Sequence, residues 1–250
     1  MFILFHNSSI NIIFTVKINI LKKAFFNWST GKDSALALHT LFNNPEFTVE
    51  KLVTTVNKKF KRVSMHGVPE ILLEKQAESI GLPLQKIYFP EDVSMELYGE
   101  IMEKGMTELV NEGFEYAVFG DIFLEDLKAY REKKLEEVGL KGHFPIWKRD
   151  SQELIKELIS VGFKAVTVSV SADLLDKSFV GRELNEQFFK DLPSNVDPCG
   201  ENGEFHTFVY DGPIFKSPIK FTLGEKVLKT YPKDENTNWD TSFWYCDLIA

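Results

Sequence analysis

Trp28-Ser29-Thr30-Gly31-Lys32-Asp33-Ser34 is the stretch that decides how this chain is interpreted. The apolar run Ala24-Phe25-Phe26 before it predicts a buried strand, and residues 35–42 after it predict a buried helix. A strand, a tight loop of small residues and a helix N-terminus form an anion cradle, because loop N–H groups and the helix dipole attract negative charge. Lys32 adds a full positive charge. Hydroxyl donors come from Ser29, Thr30 and Ser34. The stretch therefore predicts a phosphate site.

Two other interpretations of these residues compete with the phosphate site. The P-loop, G-x-x-x-x-G-K-[ST], does not match, because the residue five before Gly31 is Phe26 and Lys32 is followed by Asp33. An ordinary strand–turn–helix junction, in which Asp33 or Ser34 caps the helix, stays open on local grounds. The later segments of the chain favour the phosphate site.

Predicted strands and helices alternate beyond this loop. Strands are predicted at 52–56, 84–89, 116–119 and 164–170, and helices at 69–80, 95–110, 124–138 and 151–159. The alternation predicts an α/β fold with a Rossmann-like parallel sheet flanked by helices. Ligands of such sheets bind beyond the carboxyl ends of the strands, where residues 29–34 fall.

Three polar residues near this edge have more than one interpretation. Asp121, directly after Gly120 and the fourth strand, can hold Mg²⁺, hold a substrate amine, or cap the next helix. Arg131 lies in a charged helix, and its spacing alone is typical of a solvated face. His66 follows the second strand and is assigned no role.

A second dense cluster of polar residues lies at 197–207, with the sequence DPCGENGEFHT. Its glycines permit unusual backbone angles, so the loop can present carboxylates and an imidazole at close range. Zinc bound by Cys199 and His206 is an alternative, but no second pair at ligand spacing accompanies them. A solvent-exposed loop without chemistry is the other alternative.

Composition limits the function classes. The net charge of −8 argues against a broad nucleic-acid surface. The two cysteines, Cys199 and Cys246, are too few for a disulfide scaffold, which favours a reducing, cytoplasmic setting. Polar residues interrupt the apolar segment 1–20, so we expect no membrane span. We expect residues 1–21 to be an extension or a mis-assigned start, whose removal leaves folding intact.

The motifs of this chain, and their order along the sequence, resemble those of one protein family. They are WSTGKDS (28–34), HGVPEILLEKQAESIGLP (66–83), FGDI (119–122), FPIW (144–147), GFKAVTVSV (162–170), VGREL (180–184) and DPCGENGEFHTFVYDGPIF (197–215). Together they resemble the diphthine–ammonia ligase family, a branch of the N-type ATP pyrophosphatases. Thr30 stands where that family's loop has glycine. The resemblance covers about residues 22 to 220.

The resemblance implies an adenine nucleotide alpha hydrolase-like fold with a smaller C-terminal α/β substrate subdomain. The implied divisions are an ATP-binding pyrophosphatase domain at 22–140, a substrate-binding subdomain at 141–224 and a C-terminal tail at 225–250. The implied chemistry is adenylation of a carboxylate by ATP with Mg²⁺, followed by displacement of AMP by ammonia. The acceptor in the name-giving members is diphthine on elongation factor 2.

The resemblance also implies roles for individual residues. The implied catalytic residues are Lys32, Asp33, Glu201, Glu204 and His206. The implied ATP-binding residues are Ser29, Thr30, Gly31, Lys32, Asp33, Ser34, Thr54, Gly120 and Asp121. Arg131, Arg182, Gly203 and Thr207 are implied to bind substrate, and Asp33 and Asp121 to bind Mg²⁺. Glu204→Gln is expected to abolish amide formation while sparing ATP binding.

Two other function classes remain open. One is an ATP-binding regulatory module without turnover, which the carboxylate-rich loop at 197–207 argues against. The other is an ATP pyrophosphatase acting on a small molecule or RNA with Cys199 as nucleophile. Replacing Cys199 by serine separates this last class from the amide ligase.

Overall fold

The computed structural model of the chain describes residues 21–64, 66–231 and 242–250. The expected extension at 1–21 therefore lies outside the described residues, except for Leu21. Within the described part of the chain, no helix is long and apolar enough to cross a membrane.

The first sheet has six strands within the described residues. They are β1 (Lys22–Asn27), β2 (Phe47–Asn57), β3 (Arg62–Val63), β4 (Leu84–Phe89), β5 (Tyr116–Val118) and β6 (Lys141–His143). Five strands run parallel in the order β4-β2-β1-β5-β6, and the short β3 pairs antiparallel with the end of β2. The order reverses at β1, so the crevice between β1 and β5 is the switch point where ligands of such sheets bind. The predicted α/β fold is confirmed.

Six helices occur within the described residues. They are α1 (Lys32–Phe42), α2 (Glu70–Ile80), α3 (Met95–Asn111), α4 (Glu125–Glu137), α5 (Ser151–Ser160) and α6 (Glu186–Asp191). Successive side chains of a strand point to opposite faces. Phe25 accordingly packs in one core with Leu109 of α3, and Phe26 packs in the other core with Leu38 of α1. Both phenylalanines are fully buried.

Local signals set the helix ends. The Asp150 carboxylate accepts hydrogen bonds from the N–H groups of Gln152 and Glu153, at 2.9 and 3.0 Å, and so caps the N-terminus of α5. Helix α2 ends at Gly81, whose φ of +85° suits glycine.

The second sheet is antiparallel and packs against the α1 side of the first. Its strands β7 (Lys164–Ser171), β8 (Phe205–Asp211), β9 (Thr222–Thr230) and β10 (Ser242–Ile249) lie in the order β8-β7-β10-β9. Val166 and Phe208 share one hydrophobic core with Leu38 of α1 and with Phe26 of β1. The second subdomain was expected to end at 224, whereas β10 lies inside this sheet between β7 and β9.

Candidate active site

The loop between β1 and α1 turns sharply at Thr30, which has a φ of +75°. A β-branched residue rarely adopts this left-handed conformation, and glycine adopts it freely. The Thr30 carbonyl accepts hydrogen bonds from the N–H of Val209 at 3.0 Å and from Gln76 Nε2 at 3.2 Å. These two bonds hold the loop in the shape that a glycine would give it.

Helix α1 begins at Lys32 with Gly31 as its N-cap residue, and no side chain caps it. The alternative in which Asp33 or Ser34 caps this helix is therefore wrong. Ser29 Oγ instead lies 2.7 Å from Ser34 Oγ and accepts from the N–H of Gly31 at 3.3 Å. The hydroxyl groups of Ser29 and Ser34 therefore stabilise the conformation of the loop.

Lys32 connects this loop to the 197–207 loop. Its buried amino group donates to Asp33 Oδ2 at 2.8 Å and to the carbonyl oxygen of Cys199. The ring centroid of Phe205 lies 5.1 Å from the same nitrogen. Burial lowers the pKa of Lys32, but the charges of Asp33 and its other neighbours outweigh burial and raise it overall, so the side chain is a cation.

Gly120 allows the end of β5 to approach the first turn of α1. A Cβ at this position would lie 2.9 Å from the carbonyl carbon of Asp33 and from the backbone nitrogen of Ser34. Such contacts with backbone cannot be relieved by a side-chain rotation, so only glycine fits there. This close approach brings Asp121 into the cleft beside Asp33.

Asp121 pairs with Arg131 rather than capping a helix. Helix α4 begins at Glu125 with Leu124 as its N-cap residue, whereas Asp121 Oδ2 lies 2.8 Å from Arg131 Nε. The Arg131 guanidinium lies 4.4 Å from the centroid of the Phe119 ring. Burial raises the pKa of Asp121 and that of Asp33, against the opposing effects of Arg131 and Lys32.

The two glutamates of the 197–207 loop have different surroundings. Glu201 faces the cleft, and its Oε1 accepts from the N–H of Ile122 at 2.8 Å. Burial, together with the charges of Asp33 and Asp121, raises the pKa of Glu201 to about 7. Glu201 is thus a carboxyl group in the cleft whose pKa is raised toward neutral pH.

Glu204 is buried inside its own loop and does not line the cleft. Its Oε1 accepts from the N–H of Asp197 and from Asn202 Nδ2, and its Oε2 accepts from the N–H of Asn202, each at 3.0 Å. These hydrogen bonds within the loop stabilise its conformation, so Glu204 has a structural role in the loop.

Two stacked histidines form another wall of the cleft. The rings of His66 and His206 lie 4.7 Å apart with an angle of 26° between their planes. Burial is the largest effect on both; it lowers the pKa of His206 to about 4 and places that of His66 well below its ordinary value. His66 follows β3 and was not among the predicted site residues. The signals in the sequence were its place after the second predicted strand and its position at the start of the 66–83 motif.

The cleft has a volume of about 550 Å³ and is lined by most of the predicted site residues. Those that line it are Ser29, Lys32, Asp33, Ser34, Thr54, Gly120, Asp121, Arg131, Glu201, Gly203, His206 and Thr207. Three other predicted residues do not line the cleft, namely Thr30, Gly31 and Glu204. Arg182 lies elsewhere, because its guanidinium pairs with Asp191 of α6 and sits 5.5 Å from the centroid of the Phe188 ring.

Metal binding by side chains alone has little support in the described residues. No three His, Cys, Asp or Glu side chains among them come close enough to hold a metal ion. Cys199 Sγ contacts the carbonyl oxygen of Ser151 at 3.5 Å, and His206 stacks on His66. The zinc alternative therefore fails on geometry.

A doubly wound sheet with an uncapped helix N-terminus at its switch point is typical of α/β nucleotide-binding proteins. Two family models match it in succession: the diphthamide synthase N-terminal domain over residues 22–142 and the diphthamide synthase C-terminal domain over residues 150–248. The chain belongs to the diphthine–ammonia ligase family.

Curated relatives agree with this family. The diphthine–ammonia ligase of Schizosaccharomyces pombe is 34% identical over 109 residues, which are 40% of this chain and 18% of that protein. The human enzyme of the same name is 34% identical over 88 residues, 33% of this chain and 33% of that protein. The Danio rerio enzyme is 35% identical over 88 residues, 33% of this chain and 34% of that protein. The matches thus span about a third or less of these relatives.

One solved structure shares a weak similarity of shape. It is the U34-tRNA thiolase NcsA from Methanococcus maripaludis with its [4Fe-4S] cluster, at 17% identity and a TM-score of 0.34. The match covers 56% of this chain and 57% of that chain, and is too weak to relate individual residues.

Proposed function

We propose that this chain is an ATP-dependent, amide-forming ligase. ATP adenylates a substrate carboxylate with release of pyrophosphate, and ammonia then displaces AMP to leave an amide. The observation that carries the proposal is the junction of the 29–34 and 197–207 loops in one cleft, joined by hydrogen bonds from Lys32 to Thr207 and Cys199. One loop suits phosphates and the other presents a carboxylate to an amine. The names of the curated relatives support the same reaction.

The adenylation step must overcome repulsion, because an anionic carboxylate attacks an anionic α-phosphate. The N-terminus of α1 carries roughly half a positive charge. The Lys32 cation lies in the same turn. Both are fixed before the reaction by buried contacts, so they stabilise the departing pyrophosphate without reorganising. Arg131, part exposed in the cleft wall, is the cation that can bind the acceptor carboxylate.

Asp33 and Asp121 fit the requirements of a Mg²⁺ ion carried by ATP. Both are oxygen ligands in the cleft, burial raises the pKa of each, and the charge of Asp33 raises that of Asp121 further. A site of one or two carboxylates completed by phosphate oxygens and water is usual for Mg²⁺. Such an ion would neutralise phosphate charge.

Glu201 is the residue we propose as general base for ammonia. A base works best when its pKa lies near the working pH, and burial raises the pKa of Glu201 to about 7. The carboxylate accepts the proton that the nitrogen must lose as the amide forms. Glu204 was assigned a role of this kind from the sequence, but its oxygens are engaged within the loop, so the geometry favours Glu201.

The acceptor we propose is diphthine on elongation factor 2, with ammonia as nitrogen source and the cytoplasm as setting. The relatives' names support ligation of diphthine with ammonia, and the matched segments span about a third or less of those proteins. A regulatory ATP-binding module, or an ATP pyrophosphatase acting on a small molecule or RNA, is the alternative. The fate of ATP separates these classes.

The test tracks ATP labelled at the α- and γ-phosphates in the presence of Mg²⁺ and ammonium. Reactions contain diphthine-bearing elongation factor 2, the unmodified factor, or no acceptor. We expect AMP and pyrophosphate only with the diphthine-bearing factor, and loss of both products in Lys32→Ala and in the longer Lys32→Met. ADP and phosphate would overturn the mechanism. Tight ATP binding without cleavage under every condition would favour the regulatory module.

A further inference from the structure

Gln76 lies within the 66–83 motif, and the proposed ligase reaction gives it no task. It belongs to helix α2, and its polar side chain is fully buried. A buried polar group costs stability unless its donors and acceptors are paired. Both polar atoms of this amide have partners within the protein, so those partners indicate the role of the residue.

The partners of Gln76 fix the orientation of its amide. Trp28 Nε1, which can only donate, lies 2.8 Å from Gln76 Oε1. Gln76 Nε2 therefore faces two backbone carbonyl oxygens, that of Thr30 at 3.2 Å and that of Val209 at 2.6 Å. The N–H of Val209 donates to the same Thr30 carbonyl at 3.0 Å. Helix α2, strand β8 and the loop before α1 thus meet at one amide group.

Thr30 is the partner that needs support. Its φ of +75° places a β-branched residue in the left-handed region, which is unfavourable for side chains with a Cβ. Its own hydroxyl does not offset this cost, because Oγ1 is buried and has no hydrogen-bond partner among the described residues. The hydrogen bonds to the Thr30 carbonyl therefore have to stabilise the turn. Lys32, the first residue of α1, follows two positions later, so its place depends on this turn.

We propose that Gln76 is a positioning residue for ATP binding, which holds the 29–34 loop in its binding conformation because Thr30 stands where glycine would adopt that conformation freely. The inference rests on the proposed function in taking ATP as the ligand. Gln76 does not line the cleft, so the amide acts through the Thr30 carbonyl and not on the ligand. A glycine at position 30 should remove the need for this support.

The test is a double-mutant cycle between positions 76 and 30. Affinity is measured by calorimetry with α,β-methylene-ATP, which cannot be cleaved between those phosphates. Gln76→Met keeps an unbranched side chain of similar length but removes its hydrogen bonds. We expect it to weaken binding about tenfold when position 30 is threonine, and about twofold or less when it is combined with Thr30→Gly. Hydrogen exchange of the 28–34 segment without ligand should increase in the same pattern.

Ser79→Ala is the matched control, because Ser79 also lies on α2 and also bonds to the second half of the chain. Its Oγ donates to the carbonyl oxygen of Ser217 at 2.6 Å, and it does not line the cleft. We expect this variant to lower the free energy of unfolding and to leave the affinity for the analogue unchanged. A loss of affinity equal to that of Gln76→Met would overturn the proposal, since destabilisation of α2 alone would then explain both.

An equal loss of affinity with and without Thr30→Gly would also overturn the proposal, because Gln76 would then support the fold and not the loop. If Gln76→Met does not fold, Gln76→Glu replaces it, which keeps the shape of the amide but has no N–H to donate. Folding only in combination with Thr30→Gly would support the proposal, and failure of both variants to fold in either background would overturn it. Wild-type protein that does not bind the analogue would overturn the proposed function instead, and the hydrogen-exchange cycle would still decide the role of Gln76.

Discussion

The backbone N–H of Lys32 donates a 3.0 Å hydrogen bond to Oγ1 of Thr207, which joins the first turn of α1 to strand β8. The two residues are 175 positions apart and belong to the regions matched by the N-terminal and C-terminal family models. Both are buried. One hydroxyl thus fixes the distance between the phosphate cradle and the loop that carries Glu201.

Replacing Thr207 by valine tests this junction. Valine keeps the shape of threonine but leaves the buried N–H of Lys32 unpaired, so we expect the free energy of unfolding to fall by about 1–3 kcal/mol. Urea unfolding measures this change, and ATP affinity is expected to fall with it. Thr207→Ser, which keeps the hydroxyl, is the control. A loss of stability in Thr207→Ser with none in Thr207→Val would show that the methyl group, not the hydrogen bond, stabilises the junction.

Glu201→Gln tests the proposed general base. Because burial raises the pKa of Glu201 to about 7, wild-type amide formation should rise as pH increases through 7 and the carboxylate loses its proton. We expect Glu201→Gln to lose at least about 100-fold in kcat with ATP affinity retained. A pH–rate profile of the variant, measured at a constant concentration of free ammonia, that still rises through 7 would assign the base to another group.

Glu201 also makes stability depend on pH. Its folded pKa is raised above the unfolded value, so the folded state holds a proton that the unfolded state releases between about pH 4.5 and 7. Wild-type stability should therefore fall as pH rises through this window, relative to Glu201→Gln. Unfolding at pH 5 and at pH 8 measures the difference, which should be larger at pH 8. An equal difference at both pH values would contradict the raised pKa.

Gly120→Ala tests the close approach of β5 to α1. The new methyl group would meet the backbone of Asp33 and Ser34 at 2.9 Å, so the first turn of α1 must move. We expect at least a tenfold loss of ATP affinity, measured by calorimetry. An unchanged ATP affinity in the folded variant would contradict this close approach.

Cys199→Ser separates the amide ligase from a thiol mechanism. Burial raises the pKa of the Cys199 thiol to about 12, so the nucleophilic thiolate is absent at neutral pH. The backbone carbonyl, not the thiol, binds Lys32. We expect the variant to keep full amide-forming activity in a product assay. Loss of activity with retained folding would favour the mechanism in which Cys199 attacks.

Local patterns were enough to predict the parallel sheet and the position of the loop between β1 and α1. Strand β4 was predicted at 84–89 and helix α4 at 124–138, against observed bounds of Leu84–Phe89 and Glu125–Glu137. Such segments form through periodicity and end signals that lie within the segment. The loop at 29–34 was also predicted from local residues. Its positive φ at Thr30 was not, because that conformation depends on hydrogen bonds from α2 and β8.

The sequence could not predict which of these residues face the cleft and which bind elsewhere. Glu201 and Glu204 lie three positions apart in one loop, and only the fold shows that one faces the cleft and the other binds its own backbone. Arg182 was assigned by resemblance, and its pairing with Asp191 depends on how α6 packs. His66 was left without a role because its partner, His206, is 140 positions away and no local pattern relates them.

The most direct test of the central claim tracks one oxygen atom. Diphthine-bearing elongation factor labelled with ¹⁸O in the acceptor carboxylate is incubated with ATP, Mg²⁺ and ammonium, and the products are analysed by mass spectrometry. If the carboxylate attacks the α-phosphate and ammonia displaces AMP, one labelled oxygen must leave with AMP. Label in AMP, in amounts equal to the amide formed, is the expected result. Label in inorganic phosphate, or amide formed with unlabelled AMP, would contradict adenylation.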